Sequence, residues 1–179
     1  MSYSIEEHSH RLAAWEAARA ASASPVCRFK VQVGVDVLEA CGFETKLAKP
    51  SQLPIPGDVD NTHRQWCKEV IAAAKKHQRT FTHGIAAKLI NSYLKARFVC
   101  GGFHEHKKVI CLHPPVDRLL LNSLGTKNVG GFKKQWRHFE GVAWSKFNAS
   151  QYQEVINLMR KSLSGRPLWQ IEAYWRGYQ

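Results

Sequence analysis

Apolar positions along this chain recur mostly at helical spacing, and proline, glycine or short polar stretches break the runs. Residues 4–22 are the first predicted helix. Leu12, Trp15, Ala18 and Arg19 recur at helical spacing, Ser4 is placed to cap it, and Glu6 and Glu7 suit its first turn. Ser24-Pro25 ends it. The stretch from Phe29 to Cys41 reads two ways. VQVGVDV alternates like a strand, whereas VDVLEACG closes like a helix with Gly42 past its end, and a short helix over 32–41 is preferred. Three prolines and a glycine make residues 45–59 a surface loop.

Asp60 or Asn61 is placed to cap a helix over 62–77, with Trp66, Val70, Ala73 and Ala74 as its buried stripe and Lys68, Lys75, Lys76 and Arg79 on or near the other side. The central helix is predicted over 82–97. Ile85, Ala86, Leu89, Ile90, Tyr93 and Leu94 form its apolar stripe, opposite Lys88, Asn91, Ser92 and Lys95. Gly101 and Gly102 and a polar insert over 103–112 follow. Pro114-Pro115 then opens a helix with Val116, Leu119, Leu120 and Leu124 inward. A basic loop at 126–134 precedes a helix over 136–142. A capping box of Ser150 and Gln153 starts a helix over 150–163, and Pro167 starts a last one with Trp169, Ile171, Ala173 and Tyr174 partly buried. The expected fold is mainly α, a compact multi-helix body of six or seven helices. It spans residues 1–179 as a single helical domain, or as two small lobes sharing a core.

Charge changes this picture more than composition does. The 44% apolar content is ordinary, but 26 Lys and Arg against 14 Asp and Glu leave a net charge of +12. Such an excess favours a polyanion, most often nucleic acid, although a solvated basic surface accounts for it too. The five cysteines are an odd number at wide spacings with no CxxC, which reads as reduced, intracellular thiols, with Cys41, Cys67 and Cys100 used as small hydrophobes. The N-terminal stretch has early acids and no apolar core of a signal peptide, and no run is long enough to span a membrane. A monomeric cytoplasmic protein associated with nucleic acid is expected.

The chemistry is concentrated between Phe81 and Leu124. On spacing alone, Gly84 with Lys88 is a weak signal: a glycine before a helix lets backbone N–H groups approach an anion, but Lys88 reads more readily as one more solvated lysine on a polar face. Read whole, GIAAKLINSYLK followed by HPPVDRLLL resembles the helix-hairpin-helix DNA glycosylase superfamily, especially its 8-oxoguanine-type lyase members. The likeness covers a core within residues 62–125. It implies Lys88 as the nucleophile, Asp117 as the essential aspartate and Gly84 as the first hairpin glycine, with Ala86 standing where the second glycine would be.

That resemblance implies excision of an oxidised or modified base from duplex DNA, with no cofactor and no metal. A lysine amine attacks C1′, displaces the base and forms a Schiff base with the opened sugar, after which β-elimination nicks the strand. Only a neutral amine attacks, and desolvation or nearby positive charge favours that form. Lys95 and Arg118 are candidate sources of such charge. A carboxylate at Asp117 would stabilise positive charge developing on the sugar. The base must leave the stack, and Trp144, Phe147, Trp169 and Trp175 are candidates to line its pocket, although aromatics at helical spacing are usually core. Phosphate contacts are expected from Gly84, Lys95, Arg118, Lys127, Lys133, Lys134 and Arg137.

Two other features carry less. His113 reads as a structural histidine, or as one that orients Asp117 or contacts DNA. Cys100, His104, His106, Cys111 and His113 lie close in sequence, but their spacing matches no zinc pattern and they are expected to be scattered in a loop. The competing class is a non-catalytic DNA-binding module, or a defence or interaction protein using the same fold.

Overall fold

Helix α5, His83–Leu94, is the axis on which the other elements pack: every residue from Gly84 to Leu94 is buried. The structure, a computed structural model, describes residues 3–177. Among the described residues the remaining α-helices are α1 Ile5–Ser22, α2 Val31–Ala40, α3 Phe43–Lys46, α4 Val59–Lys76, α6 Arg118–Thr126, α7 Lys133–Val142 and α8 Ala149–Leu163, and there is no strand. The protein is mainly helical, as its periodicity predicts. No described helix is long and apolar enough to cross a membrane.

The side of α1 that packs inward is not the one its large side chains suggest. Ala13, Ala14, Ala17, Ala18 and Ala21 are buried, while Leu12 is 55% and Trp15 48% exposed. Alanine wins because it lets backbones come close. A Cβ added to Gly34 of α2 would sit 2.6 Å from the Ala18 Cβ, so only glycine fits at that crossing. Ser4 caps α1 by accepting from the Glu7 N–H at 3.1 Å. His10 ties α1 to α5 through a 2.9 Å hydrogen bond between Nδ1 and the Tyr93 hydroxyl.

Residues 31–40 resolve as helix, not strand. Helix α4 begins at Val59, earlier than predicted, and Asp60 does not cap it; its carboxylate instead accepts from His113, Gln153 and Arg160. After Leu94 the chain does not stay α-helical to Arg97. Residues 95–103 widen into a π-helical stretch that ends through Gly102 at φ 90°, a conformation that favours glycine. Pro114 and Pro115 lie outside any helix. The Pro114 carbonyl accepts from Asn91 Nδ2 at 2.9 Å, which holds that segment against α5, and α6 starts only at Arg118. Leu119, expected inward, is 47% exposed.

Helix α7 begins at Lys133, three residues before the predicted start. The capping box of α8 is formed by Asn148 and Gln151, not by Ser150 and Gln153. The last element, Leu168–Tyr174, is a tighter 3-10 helix. All five cysteines are free thiols; Cys41 and Cys67 are buried as expected of small hydrophobes, whereas Cys100 is exposed on the π-helical stretch.

Candidate active site

Two elements bring the central lysine and aspartate together. Lys88 projects from the second turn of α5, and Asp117 is the N-cap of α6. The Asp117 oxygens divide the work. Oδ1 accepts from the Leu120 N–H at 2.8 Å and closes the first turn of α6, while Oδ2 accepts from Lys88 Nζ at 3.0 Å and from the Trp175 indole N–H at 2.9 Å. Burial pushes the Asp117 carboxyl up, but the charge on Lys88, the Leu120 N–H and the Trp175 indole outweigh it and hold the group below its ordinary value. Asp117 is therefore a carboxylate at neutral pH. Lys88 is 7% exposed, which rules out the solvated-lysine reading of its position.

Above this pair lies an open cleft of about 280 Å³ lined by Ala20, Ala23, Lys88, Asp117, Arg118, Leu119, Trp144 and Trp175. It is at the small end of ligand pockets, which run from roughly 300 Å³ upward. The Trp144 ring lies 6.0 Å from Lys88 Nζ. A second, smaller cavity adjoins it and shares Ala20, Lys88, Asp117 and Trp175; Glu16, Ser92, Lys95, Pro115 and Glu172 complete its wall. The Ser92 hydroxyl is buried there with no hydrogen-bond partner among the described residues.

Glu172 is the functional candidate that the sequence reading missed. It lies on the C-terminal 3-10 turn and forms an ion pair with Lys95, whose ammonium also sits 5.5 Å from the Trp175 ring. Burial pushes the Glu172 carboxyl above its ordinary value, against the opposing charge of Lys95. One signal was available: Glu172 is the single acid in the aromatic run LWQIEAYW.

The remaining expected residues divide. Trp144 and Trp175 flank the cleft, and Arg118 is exposed at its rim. Phe147 does not join them; it is buried in the core, edge-on to Phe139. Trp169 lies elsewhere, with its indole donating to the His104 carbonyl at 3.2 Å. Gly84 is not a phosphate-binding turn. It lies inside α5, its N–H donates to the Phe147 carbonyl at 3.1 Å, and an added Cβ would fall 1.9 Å from the Trp144 carbonyl oxygen. The segment 144–147 thus covers the end of α5 where an anion was expected.

Among the expected phosphate contacts, Lys95 is committed to Glu172. Arg137 is bound to Glu140 at 2.7 Å and to the Thr126 hydroxyl at 3.0 Å. Lys127 is exposed over the Tyr174 ring at 5.5 Å. Lys133 and Lys134 are exposed at the start of α7, where Lys134 borders a different cavity with His138 and Lys161. His113 does not orient Asp117. It is buried, with Nε2 on Asp60 at 2.8 Å and Nδ1 on the Tyr152 hydroxyl at 3.1 Å.

Compared with protein-family models, with curated proteins and with solved structures, the chain matches none of them.

Proposed function

We propose that this protein binds DNA and removes an oxidised or otherwise modified base as a glycosylase with lyase activity, using Lys88 as nucleophile and Asp117 as its acid–base partner. One observation carries the reading: a buried lysine amine and a carboxylate lie 3.0 Å apart at the floor of a cleft flanked by two tryptophans. The net charge of +12 suits a DNA partner.

The chemistry starts with a proton. Nζ passes one to a carboxylate, and Asp117 Oδ2 is already its hydrogen-bond acceptor. The freed lone pair attacks C1′ of the target nucleotide. The bond from C1′ to the base breaks, and the base leaves with the electron pair and takes the proton that Asp117 received. A second proton passes from Nζ through the Asp117 carboxylate to the ring oxygen as the C1′–O4′ bond breaks, giving the Schiff base. Loss of a 2′ proton and cleavage of the C3′–O bond then nick the strand. Trp144 and Trp175 line the cleft in which a base taken out of the stack would be held. Glu172, with its raised carboxyl, is a second group able to exchange protons in the same region.

The experiment is borohydride trapping on duplex DNA carrying an abasic site or 8-oxoguanine. The expected result is a covalent adduct on a denaturing gel with the wild type and none with Lys88→Gln. Binding to abasic DNA without an adduct would sink the lyase reading.

A non-catalytic DNA-binding module is the second reading, and one observation favours it. Lys88 is held by Asp117, and the N–H of Gly84 is already taken, so the parts that a hairpin glycosylase turns toward its substrate are engaged within the protein. In that case Lys88→Gln leaves both affinity and the absence of nicking unchanged.

A further inference from the structure

On another side of α5, well away from Lys88, three ligand-type side chains converge. His63 and Cys67 stand one turn apart on α4, and His83 opens α5. One donor atom from each lies within 4.8 Å of the other two. His83 and Lys88 are five residues apart, which places them about 140° apart around the helix. We infer that His63, Cys67 and His83 form a binding site for a thiophilic divalent cation of the zinc class, joining α4 to α5.

Hydrogen bonding fixes which atom of His63 is free to coordinate. Asn91 Nδ2 donates to the Pro114 carbonyl at 2.9 Å and to the Tyr152 hydroxyl at 2.8 Å. A carbonyl only accepts, so the amide orientation is set and Asn91 Oδ1 faces His63 Nε2 at 2.8 Å. Nε2 must therefore carry the proton, and Nδ1 presents a bare lone pair. That lone pair faces Cys67 Sγ at 3.7 Å. A tetrahedral zinc with ordinary Zn–N and Zn–S bonds would set its nitrogen and sulfur ligands about 3.6 Å apart. A hydrogen bond on the distal ring nitrogen is also the usual support of a metal-binding histidine.

The surroundings suit a cation ligand set better than an ion pair. No acid belongs to the cluster, and the Tyr152 ring stacks on His63 at a centroid distance of 5.1 Å and lies 5.2 Å from His83, which holds both imidazoles in place. Burial keeps His63 and His83 neutral, the form in which imidazole binds metal. Burial also keeps Cys67 a thiol. Metal entry would displace that proton: the cation takes two imidazole lone pairs and one thiolate, and one proton leaves. The fourth tetrahedral position falls to water or an anion. His83 is only half-buried, so the cluster reaches toward the surface on that side.

The test uses the full chain, unfolded in chelator and refolded with Co²⁺ as the probe, then with Zn²⁺. The expected result is a thiolate-to-cobalt charge-transfer band with tetrahedral visible bands, saturating at about one ion per chain and displaced by zinc. Cys67→Ala should abolish the charge-transfer band, and His83→Gln should weaken binding at least tenfold. Should Cys67→Ala fail to fold, His83→Gln, altered at a half-buried position, decides the matter. Two results would overturn the inference. One is refolded wild-type protein without the band. The other is a band that survives Cys67→Ala but disappears in a Cys100→Ser, Cys111→Ser double variant, which would move the metal to the exposed insert.

Discussion

Lys88 Nζ and Asp117 Oδ2 lie 3.0 Å apart although 29 residues separate them in the chain. The contact depends on two local structures. Helix α5 carries Lys88 inward, and the 113–117 segment, held by Asn91 at Pro114, delivers Asp117 to the start of α6. Asp117 consequently has two duties, capping a helix and pairing with a buried amine. Substitutions can separate them.

Asp117→Ala removes both duties, and Asp117→Asn keeps an oxygen for the cap. Breaking a buried ion pair costs about 3–5 kcal/mol because one charge is left unpaired. Both variants should lose stability on that scale, with Asp117→Ala worse by about 1 kcal/mol, the ordinary value of a cap. Lys88→Met also leaves a charge without its partner, but the Asp117 carboxylate still accepts from the Leu120 and Trp175 N–H groups and still caps α6, so this variant should be milder than either. Urea midpoints for the three variants check the order. An Asp117→Asn variant as unstable as Asp117→Ala would show that the cap contributes nothing.

Gly84→Ala should destabilise the protein by about 1–3 kcal/mol or more, because the new methyl meets the Trp144 carbonyl rather than solvent. Ala86→Gly restores the glycine spacing of the hairpin motif, yet Ala86 is buried within α5. It should cost about 1 kcal/mol from helix propensity alone and leave DNA affinity unchanged. Thermal melts and a fluorescence-anisotropy titration on duplex DNA measure the two effects. Tighter DNA binding by Ala86→Gly would put the backbone of this turn back among the phosphate contacts.

The sequence disclosed helices well and faces less well. In α5 the stripe Ile85, Leu89, Ile90 and Leu94 shows the helix because large apolar groups repeat at its period. In α1 the same logic points to Leu12 and Trp15 as well as Ala18, and of these only Ala18 is buried: the inward side is alanine, suited to close approach and not to apolar area. Trp144 and Phe147 look alike in sequence, yet one opens the 3-10 turn at the edge of the cleft, while the other lies past its end and fills the core. Trp175 reaches Asp117 from 58 residues downstream, and Glu172 arrives with it. No local pattern encodes such a meeting. Lys88 and Asp117 could be singled out only through a family resemblance, and the cluster of His63, Cys67 and His83 joins two helices whose crossing periodicity does not reveal.

Stability should fall as pH is lowered from about 6.5. Burial depresses His63, His113 and His10, and it depresses His83 from 6.5 to about 4. In the window between those values the unfolded chain binds protons that the native protein does not. Each such proton lowers stability by about 1.4 kcal/mol per pH unit. After burial itself, the charge on Arg64 lowers His83 further, as does His113 once it protonates, and Asp60 opposes the shift at His113. A further loss should follow below the ordinary carboxylate value of 3.8, as Asp60 and Asp117, both held low, take up protons. Urea midpoints in metal-free buffers at pH 7, 5.5 and 4 measure the slope, and His83→Gln should flatten it. A wild-type midpoint constant from pH 7 to 4 would contradict the buried-neutral assignment.

DNA binding, where it occurs, should discriminate between free and paired cations. If about six phosphates are neutralised, log affinity falls with log salt at a slope near −5. Arg118, Lys127, Lys133 and Lys134 are exposed, and replacing a phosphate-contacting one with alanine should reduce that slope by about 1. Lys95 and Arg137 are engaged with Glu172 and Glu140, so removing either should leave the slope unchanged. Arg118 is the most informative position, because it lies at the rim of the cleft that holds Lys88. A reduced slope for Arg118→Ala, with no change for Lys134→Ala, would put the DNA across the cleft. The reverse would put it over the start of α7, where Lys134 shares a cavity wall with Lys161, and would separate binding from the lysine–aspartate pair.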